Sequence, residues 1–142
     1  NYEFRLKDYS GAILVDYQSS PIFDNLIGGI YTVEINDQNG CGYITEEISV
    51  LSFPTFFTPN NDGINDTWQV KGIGNVFFTE GKVSIFNRFG KNLIEFTIFD
   101  RGWDGNYFGK KLPSNDYWFI IRLIDTKGVL RTRKGSFSLI RK

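Results

Sequence analysis

The side chains best placed for chemistry are four aspartates, Asp62, Asp66, Asp104 and Asp116, each set among glycine, asparagine or aromatic residues. Paired carboxylates are what glycoside hydrolysis needs, one as the acid and one as base or nucleophile. Nothing in the spacing brings two of them to a catalytic separation or gives one an apolar setting that raises its pKa. The chain has no histidine and a single cysteine, Cys41. That removes Ser-His, Cys-His and His-ligated zinc chemistry together, and it leaves Cys41 without a base to activate it as a nucleophile. The chain reads as a non-enzyme.

Oxygen ligands offer a second chemistry. Asp62, Asn65 and Asp66, joined by Asp104 from a later loop, could hold calcium. The run from Thr58 overlays an EF-hand loop imperfectly, with Thr58 at its first position and Gln69 at its twelfth, where that loop wants Asp and Glu. A full EF-hand is excluded on charge count, and a looser site is conceivable. The competing reading is a tight turn whose Asx side chains accept hydrogen bonds from nearby backbone amides. Trp68 and Trp103 each close a Gly/Asx-rich loop, and Trp118 sits in an apolar strand. They offer a sugar-binding platform on one reading and core anchors that pin loops on the other.

These residues sit in a chain built for β-structure. Of its residues, 41% are apolar and 17% aromatic, with 14 Phe, 7 Tyr, 3 Trp and 15 Gly, a mix that favours strands. Tyr2–Lys7, Ala12–Gln18 and Ile30–Asn36 alternate apolar with polar residues, the period of a half-buried strand. Asp37-Gln38-Asn39-Gly40 predicts a hairpin turn, with Cys41–Leu51 returning. The stretch Phe53–Trp68 (FPTFFTPNNDGINDTW) follows, with Gly63 able to take positive φ. Short strands are then expected at Thr67–Lys71, Lys82–Arg88, Lys91–Phe96, Asp116–Asp125 and Val129–Lys142, and Gly72–Gly81 is expected as a loop carrying Val76, Phe77 and Phe78. Asp116–Asp125 (DYWFIIRLID) reads as a central strand buried on both faces, and Phe137 and Leu139 are expected to face inward. No stretch carries a convincing helical period. The fold class is all-β: an antiparallel Ig-like sandwich of about seven strands, preceded by a partial Ig-like β-module.

The formal net charge of zero hides a split. Residues 1–51 carry 2 basic and 8 acidic side chains, and residues 52–142 carry 14 basic and 8 acidic. The switch falls near Leu51–Pro54 and predicts two modules, 1–51 and 52–142. Neither half is basic enough, or carries a motif, for nucleic acid. No run is long and apolar enough to span a membrane as a helix. A chain that starts at Asn1 with no signal peptide is expected to be a piece of something longer.

Two resemblances follow. The pattern Gly-Ile-Tyr-Thr-Val at 29–33 with Asp-Gln-Asn-Gly-Cys at 37–41 resembles the C-terminal half of immunoglobulin-like repeats in large bacterial surface adhesins. That resemblance implies an upstream partner for Cys41; the plain alternative is a small buried hydrophobe. Downstream stand FPTFFTPNNDGINDTW at 53–68, VSIFNRFGKNL at 83–93, GWDGNYFGKKLPSNDYWF at 102–119 and KGSFSLIRK at 134–142. In this order they resemble the type B C-terminal sorting domain of the Bacteroidota type IX secretion system, known from gliding-motility-associated surface proteins.

The second resemblance implies a targeting module that carries cargo, such as a gliding adhesin, through periplasm and outer membrane to the cell surface. It implies outer-membrane barrel partners, a PorV-like shuttle or PorP/SprF-like barrels, with no small-molecule substrate and no required cofactor. Its signature loops are Pro59, Asn60, Asp62, Gly63, Asn65, Asp66 and Trp68, with Trp103, Asp104 and Gly105. The basic last strand is either a solvated edge whose charges deter aggregation or a docking edge. The docking set would be Arg131, Arg133, Lys134, Phe137, Arg141 and Lys142. A carbohydrate- or calcium-binding β-sandwich module is the alternative function.

Overall fold

The computed structural model describes residues 1–40, 42–74 and 77–141; Cys41, Val76 and Lys142 lie outside them. The fold is all-β, with no helix among the described residues. It divides into two compact units, one of Asn1–Ser52 with Gly72–Gly74, the other of Phe53–Lys71 with Asn75–Lys142.

The first unit is a four-stranded sheet made of β1 (Tyr2–Lys7), β2 (Ile13–Gln18), β3 (Gly29–Asp37) and β4 (Tyr43–Val50), in the order β2-β1-β3-β4. All its pairings are antiparallel. The alternation written in the sequence becomes two chemically different faces. Pairing Phe4 with Ile35 and Leu6 with Val33 puts the apolar set on one side, and Leu6 and Tyr31 are buried there. On the other side Arg5 pairs with Glu34 in the ladder. The Glu34 carboxylate, itself buried, is held by Arg5 Nη2 at 2.6 Å and Lys7 Nζ at 3.3 Å. The expected Asn-Gly hairpin forms, with Gly40 N–H donating to the Asp37 carbonyl.

The second unit contains β5 (Phe56–Phe57), β6 (Phe78–Phe86), β7 (Asn92–Thr97), β8 (Asn106–Tyr107), β9 (Lys110–Lys111), β10 (Asn115–Asp125) and β11 (Leu130–Leu139). Five of them form one sheet in the order β5-β11-β10-β6-β7, and β8-β9 form a separate two-stranded hairpin. Pairing is antiparallel except for β5, which joins β11 in parallel at Ser138 and Leu139. The inner face gathers Val83 and Ile85 from β6, Tyr117, Phe119, Ile121 and Leu123 from β10, and Phe137 and Leu139 from β11, all buried. Trp68 and Trp103 lie across this face as a second layer.

The sequence expectations need correction at three strands. β10 is central but buried on one face only, because Trp118 is 42% exposed and Arg122 is exposed on the outer side. Its outer face mixes Trp118, Ile120 and Ile124 with the charged Asp116 and Arg122, and the two isoleucines are only half-buried. The expected strand Thr67–Lys71 does not form: Trp68 makes one isolated bridge, and no ladder extends from it. β6 begins at Phe78 rather than Lys82, since Phe78 is already a core residue.

Candidate functional site

The signature loops and the end of the last strand meet at one end of the second unit. The first loop is organised by Asp66. Its Oδ1 accepts the backbone N–H groups of Asn60 and Asn61 at 3.2 and 2.8 Å, and its Oδ2 accepts that of Gly63 at 2.7 Å. Asp62 Oδ1 accepts Ile64 N–H, and Asn60 Oδ1 accepts Asp62 N–H. Asn61 and Asn65 both sit at positive φ, where asparagine is several-fold enriched among non-glycine residues. Burial works against the Asp66 carboxylate, but the converging amides outweigh it and hold its pKa below the ordinary 3.8.

Trp68 closes this loop against the second one. Trp68 N–H donates to the Trp103 carbonyl at 2.8 Å, and Trp103 N–H donates back to the Trp68 carbonyl at 3.0 Å. Both side chains are fully buried, and both indole N–H groups find carbonyls, Pro54 for Trp68 and Asn106 for Trp103. Trp68 stacks on Phe137 with centroids 4.5 Å apart and leans on Phe119 at 4.8 Å. Trp103 meets Tyr117 edge-on at 5.1 Å. With Trp68 and Trp103 inside the core, neither presents a face to a sugar and both act as anchors, whereas Trp118, 42% exposed, does not.

The Gly-Trp-Asp-Gly run that carries Trp103 needs both of its glycines. Gly102 has φ of 103°, and a Cβ there would overlap the Trp68 carbonyl. Gly105 has φ of 84°, and a Cβ would stand 2.8 Å from Leu139 Cδ1 and 2.9 Å from Arg141 Nη2. That space belongs to Arg141, whose guanidinium donates to the carbonyls of Leu112 at 2.6 Å and Gly105 at 3.1 Å. Arg141 N–H also donates to Ser114 Oγ. Arg141 is thus a stitch between the chain's last described residues and the second loop. It was expected among the docking residues, but its charge is spent internally on backbone carbonyls. Leu112, Ser114 and Gly105 as its acceptors were not foreseen, since they lie 27 to 36 residues away in sequence.

The same geometry bears on the choice between a calcium site and a turn held by Asx hydrogen bonds. Asp62, Asp66 and Asp104 share this end, but they line clefts that also hold Lys111 and Arg141. No group of three or more His, Cys, Asp or Glu side chains gathers as a metal cluster among the described residues. The carboxylate oxygens of Asp66 already face N–H hydrogens, which would repel a cation. Asp104 accepts Asn106 N–H and its side-chain amide. Asp116 stands apart on β10, where its Oδ1 accepts the Ser138 hydroxyl.

The remaining expected docking residues lie on β11. Phe137 must leave that set, because it is 2% exposed at the centre of the aromatic core. Arg131 donates from Nε to Asp125 Oδ2 at 3.2 Å. The same carboxylate caps the β10–β11 turn by accepting Lys127 and Val129 N–H. Arg133 and Lys134 are exposed and no described acid bridges them, although Arg133 Nη1 donates to the neighbouring Thr132 carbonyl at 3.0 Å. One side of β11 pairs with β10 along its whole length, whereas the other side meets β5 only at Ser138 and Leu139. Ser138 and Ile140 send their N–H groups toward β5. The unbroken register with β10 therefore turns the amides of Thr132, Lys134 and Ser136 to the same, unpaired side.

Residues 51–139 match the family model of the CHU_C type IX secretion signal domain. The chain belongs to that family. As a type IX secretion signal domain it acts with that secretion machinery and marks protein for export across the outer membrane, to the cell surface or beyond. The family is defined by a secretion signal and not by catalysis. Comparison with curated proteins finds no match. Among solved structures, one similar chain is the crystal structure of dimeric latent PorU from Porphyromonas gingivalis, at 12% identity and a TM-score of 0.44. The match covers all of this chain and 16% of that one.

Three outcomes follow from the loop geometry. Gly102→Ala should lower stability by on the order of 3 kcal/mol, read by thermal melting, because it prises the two tryptophans apart; a melt within a degree of wild type would show that the bridge tolerates a Cβ. Asp66 has a folded pKa below 3.8, so its contribution is present above that pH and is lost as pH falls through the lower, folded value. Asp66→Asn should therefore lower the melting temperature at neutral pH and flatten the acid limb of the stability curve. EDTA should leave the melting temperature of the wild-type chain unchanged, and a fall reversed by added calcium would contradict the hydrogen-bond account of these loops.

Proposed function

We propose that the second unit is the type B C-terminal signal that carries a large gliding-motility-type adhesin to the cell surface, and that it docks on outer-membrane barrels through the open edge of β11. Residues 1–51 are then the end of an adhesin repeat and 52–142 the sorting domain. The observation that carries the docking mode is the open edge of Leu130–Phe137, with the N–H groups of Thr132, Lys134 and Ser136 turned outward. An open strand edge is a template for another strand, and basic side chains along it deter a second copy of the same edge. Here the edge is open and carries Arg133 and Lys134, which suits an extended partner segment with acidic side chains. PorV-like and PorP/SprF-like barrels are the partner classes that the family resemblance suggests. The buried Trp68 and Trp103 and the amide-filled Asx loops favour this reading over a carbohydrate or calcium module.

The test is a reporter joined to the whole chain in a cell with type IX secretion. Thr132→Pro removes one outward N–H while leaving the β10 ladder intact, and Arg133→Glu with Lys134→Glu reverses the free charge. Each should strand the reporter in the periplasm without lowering its melting temperature by more than a few degrees. Surface display undiminished in both variants would eliminate the edge as the docking site. Retention of the unaltered fusion would defeat the sorting role itself.

A further inference from the structure

We infer that the tips of the β6–β7 and β8–β9 hairpins form a membrane-contacting end that inserts phenylalanine into an anionic lipid surface. The β8–β9 hairpin turns through Phe108 and Gly109, at φ of 49° and 78°. Two consecutive positive φ values make a type I′ turn, whose first central position is normally asparagine, aspartate or glycine. Phe108 is neither small nor able to bond its own backbone there, so the fold holds a bulky side chain in a costly conformation. It gains no burial in return, because Phe108 is 89% exposed. A strained residue that contributes nothing to the core points outward to a contact that the isolated chain does not make.

A second tip stands with it. Phe89, 79% exposed, occupies the β6–β7 turn that Asn87 caps by accepting Phe89 and Lys91 N–H. The two hairpins are joined by Lys91, whose ammonium lies 5.0 Å from the Tyr107 ring, and Tyr107 in turn meets Phe108 at 4.6 Å. The Arg88 guanidinium sits 4.9 Å from the Phe89 ring. Lys110 pairs with Tyr107 in the short ladder and is exposed. Two exposed phenylalanines flanked by Arg88, Lys91 and Lys110 give apolar tips ringed by cations. Of the carboxylates nearby, Glu95 is paired with Lys82 and Asn92, Asp116 accepts the Ser138 hydroxyl and Asp104 accepts the Asn106 amides. Cations over aromatic tips suit the headgroup boundary of an anionic bilayer, where rings bury in the acyl region and cations meet phosphate.

The whole chain is to be sedimented with vesicles of mixed phosphatidylglycerol and phosphatidylcholine, and with phosphatidylcholine alone. Wild type should pellet with the anionic vesicles and stay in solution with the neutral ones. Phe108→Asn should melt at or above the wild-type temperature, since asparagine suits the turn, yet bind the anionic vesicles more weakly. The pair Phe108→Asn with Phe89→Ser should lose about tenfold or more in partitioning, the effect of removing a buried ring from the acyl boundary. Absence of wild-type binding to anionic vesicles would overturn the inference. So would binding that falls with salt but ignores both phenylalanine substitutions, since charge alone would then account for it. The outcome is independent of which protein reads the secretion signal, so a failure here leaves the sorting role and the β11 edge untouched.

Discussion

The reciprocal hydrogen bond between Trp68 and Trp103 is the constraint on which the second unit depends. It joins two loops that are 35 residues apart and fixes both indoles over the same sheet face. Once they are fixed, Phe137 has a ring to stack on, Phe119 and Tyr117 have partners, and β11 is seated where β5 can join it. Aromatic pairs of this kind add to stability beyond the area they bury. Because both indole N–H groups also reach carbonyls, the layer contains no unsatisfied donor to loosen it. Gly102 permits the approach, Gly105 leaves room for Arg141 and Leu139 beside it, and Asp66 holds the first loop in the shape that delivers Trp68.

Much of this was written in the sequence, for a physical reason. Strand alternation survives in the fold because side chains on a pleated ribbon alternate faces whatever the neighbours are, so Val83, Ile85, Phe137 and Leu139 were legible as core. The density of Asx and glycine in Asn60–Asp66 announced a locally bonded turn, since such bonds span two to six residues. The arrangement of Trp68 was not legible as a bridge. Thr67–Lys71 alternates like a strand, but its partner is a loop that sequence spacing does not identify. For the same reason Arg141 looked like a free charge at the end of a basic strand. Its acceptors are backbone carbonyls of a distant loop, and a carbonyl has no residue type to read. The parallel seating of β5 on β11 and the bare edge beyond it also depend on long-range pairing alone.

Phe108 failed to announce itself in the opposite way. Phe-Gly is not a usual type I′ turn pair, so the sequence reads as an aromatic near a glycine and not as strain. Only backbone dihedrals reveal it. The Asn residues at positive φ in the first loop carry no such message, because Asn is at home there and its neighbours are satisfied. The contrast separates loops whose strain is relieved locally from a turn whose strain has no local return.

The charge split gains a physical meaning from this arrangement. Of the basic side chains in the second unit, Arg141 is consumed by carbonyls and Arg131 by the turn carboxylate Asp125. Among the described cations left without a carboxylate, Arg133 and Lys134 lie on the β11 edge and Arg88, Lys91 and Lys110 lie around the two phenylalanine tips, while Lys71, Arg101, Lys111, Arg122 and Lys127 stand elsewhere. A signal that must be recognised while folded has to keep some contacts unmade within itself, and each unmade contact risks aggregation. Lysine and arginine at both places meet that risk, since like charge holds two copies apart while leaving the edge and the tips open to a partner of opposite sign.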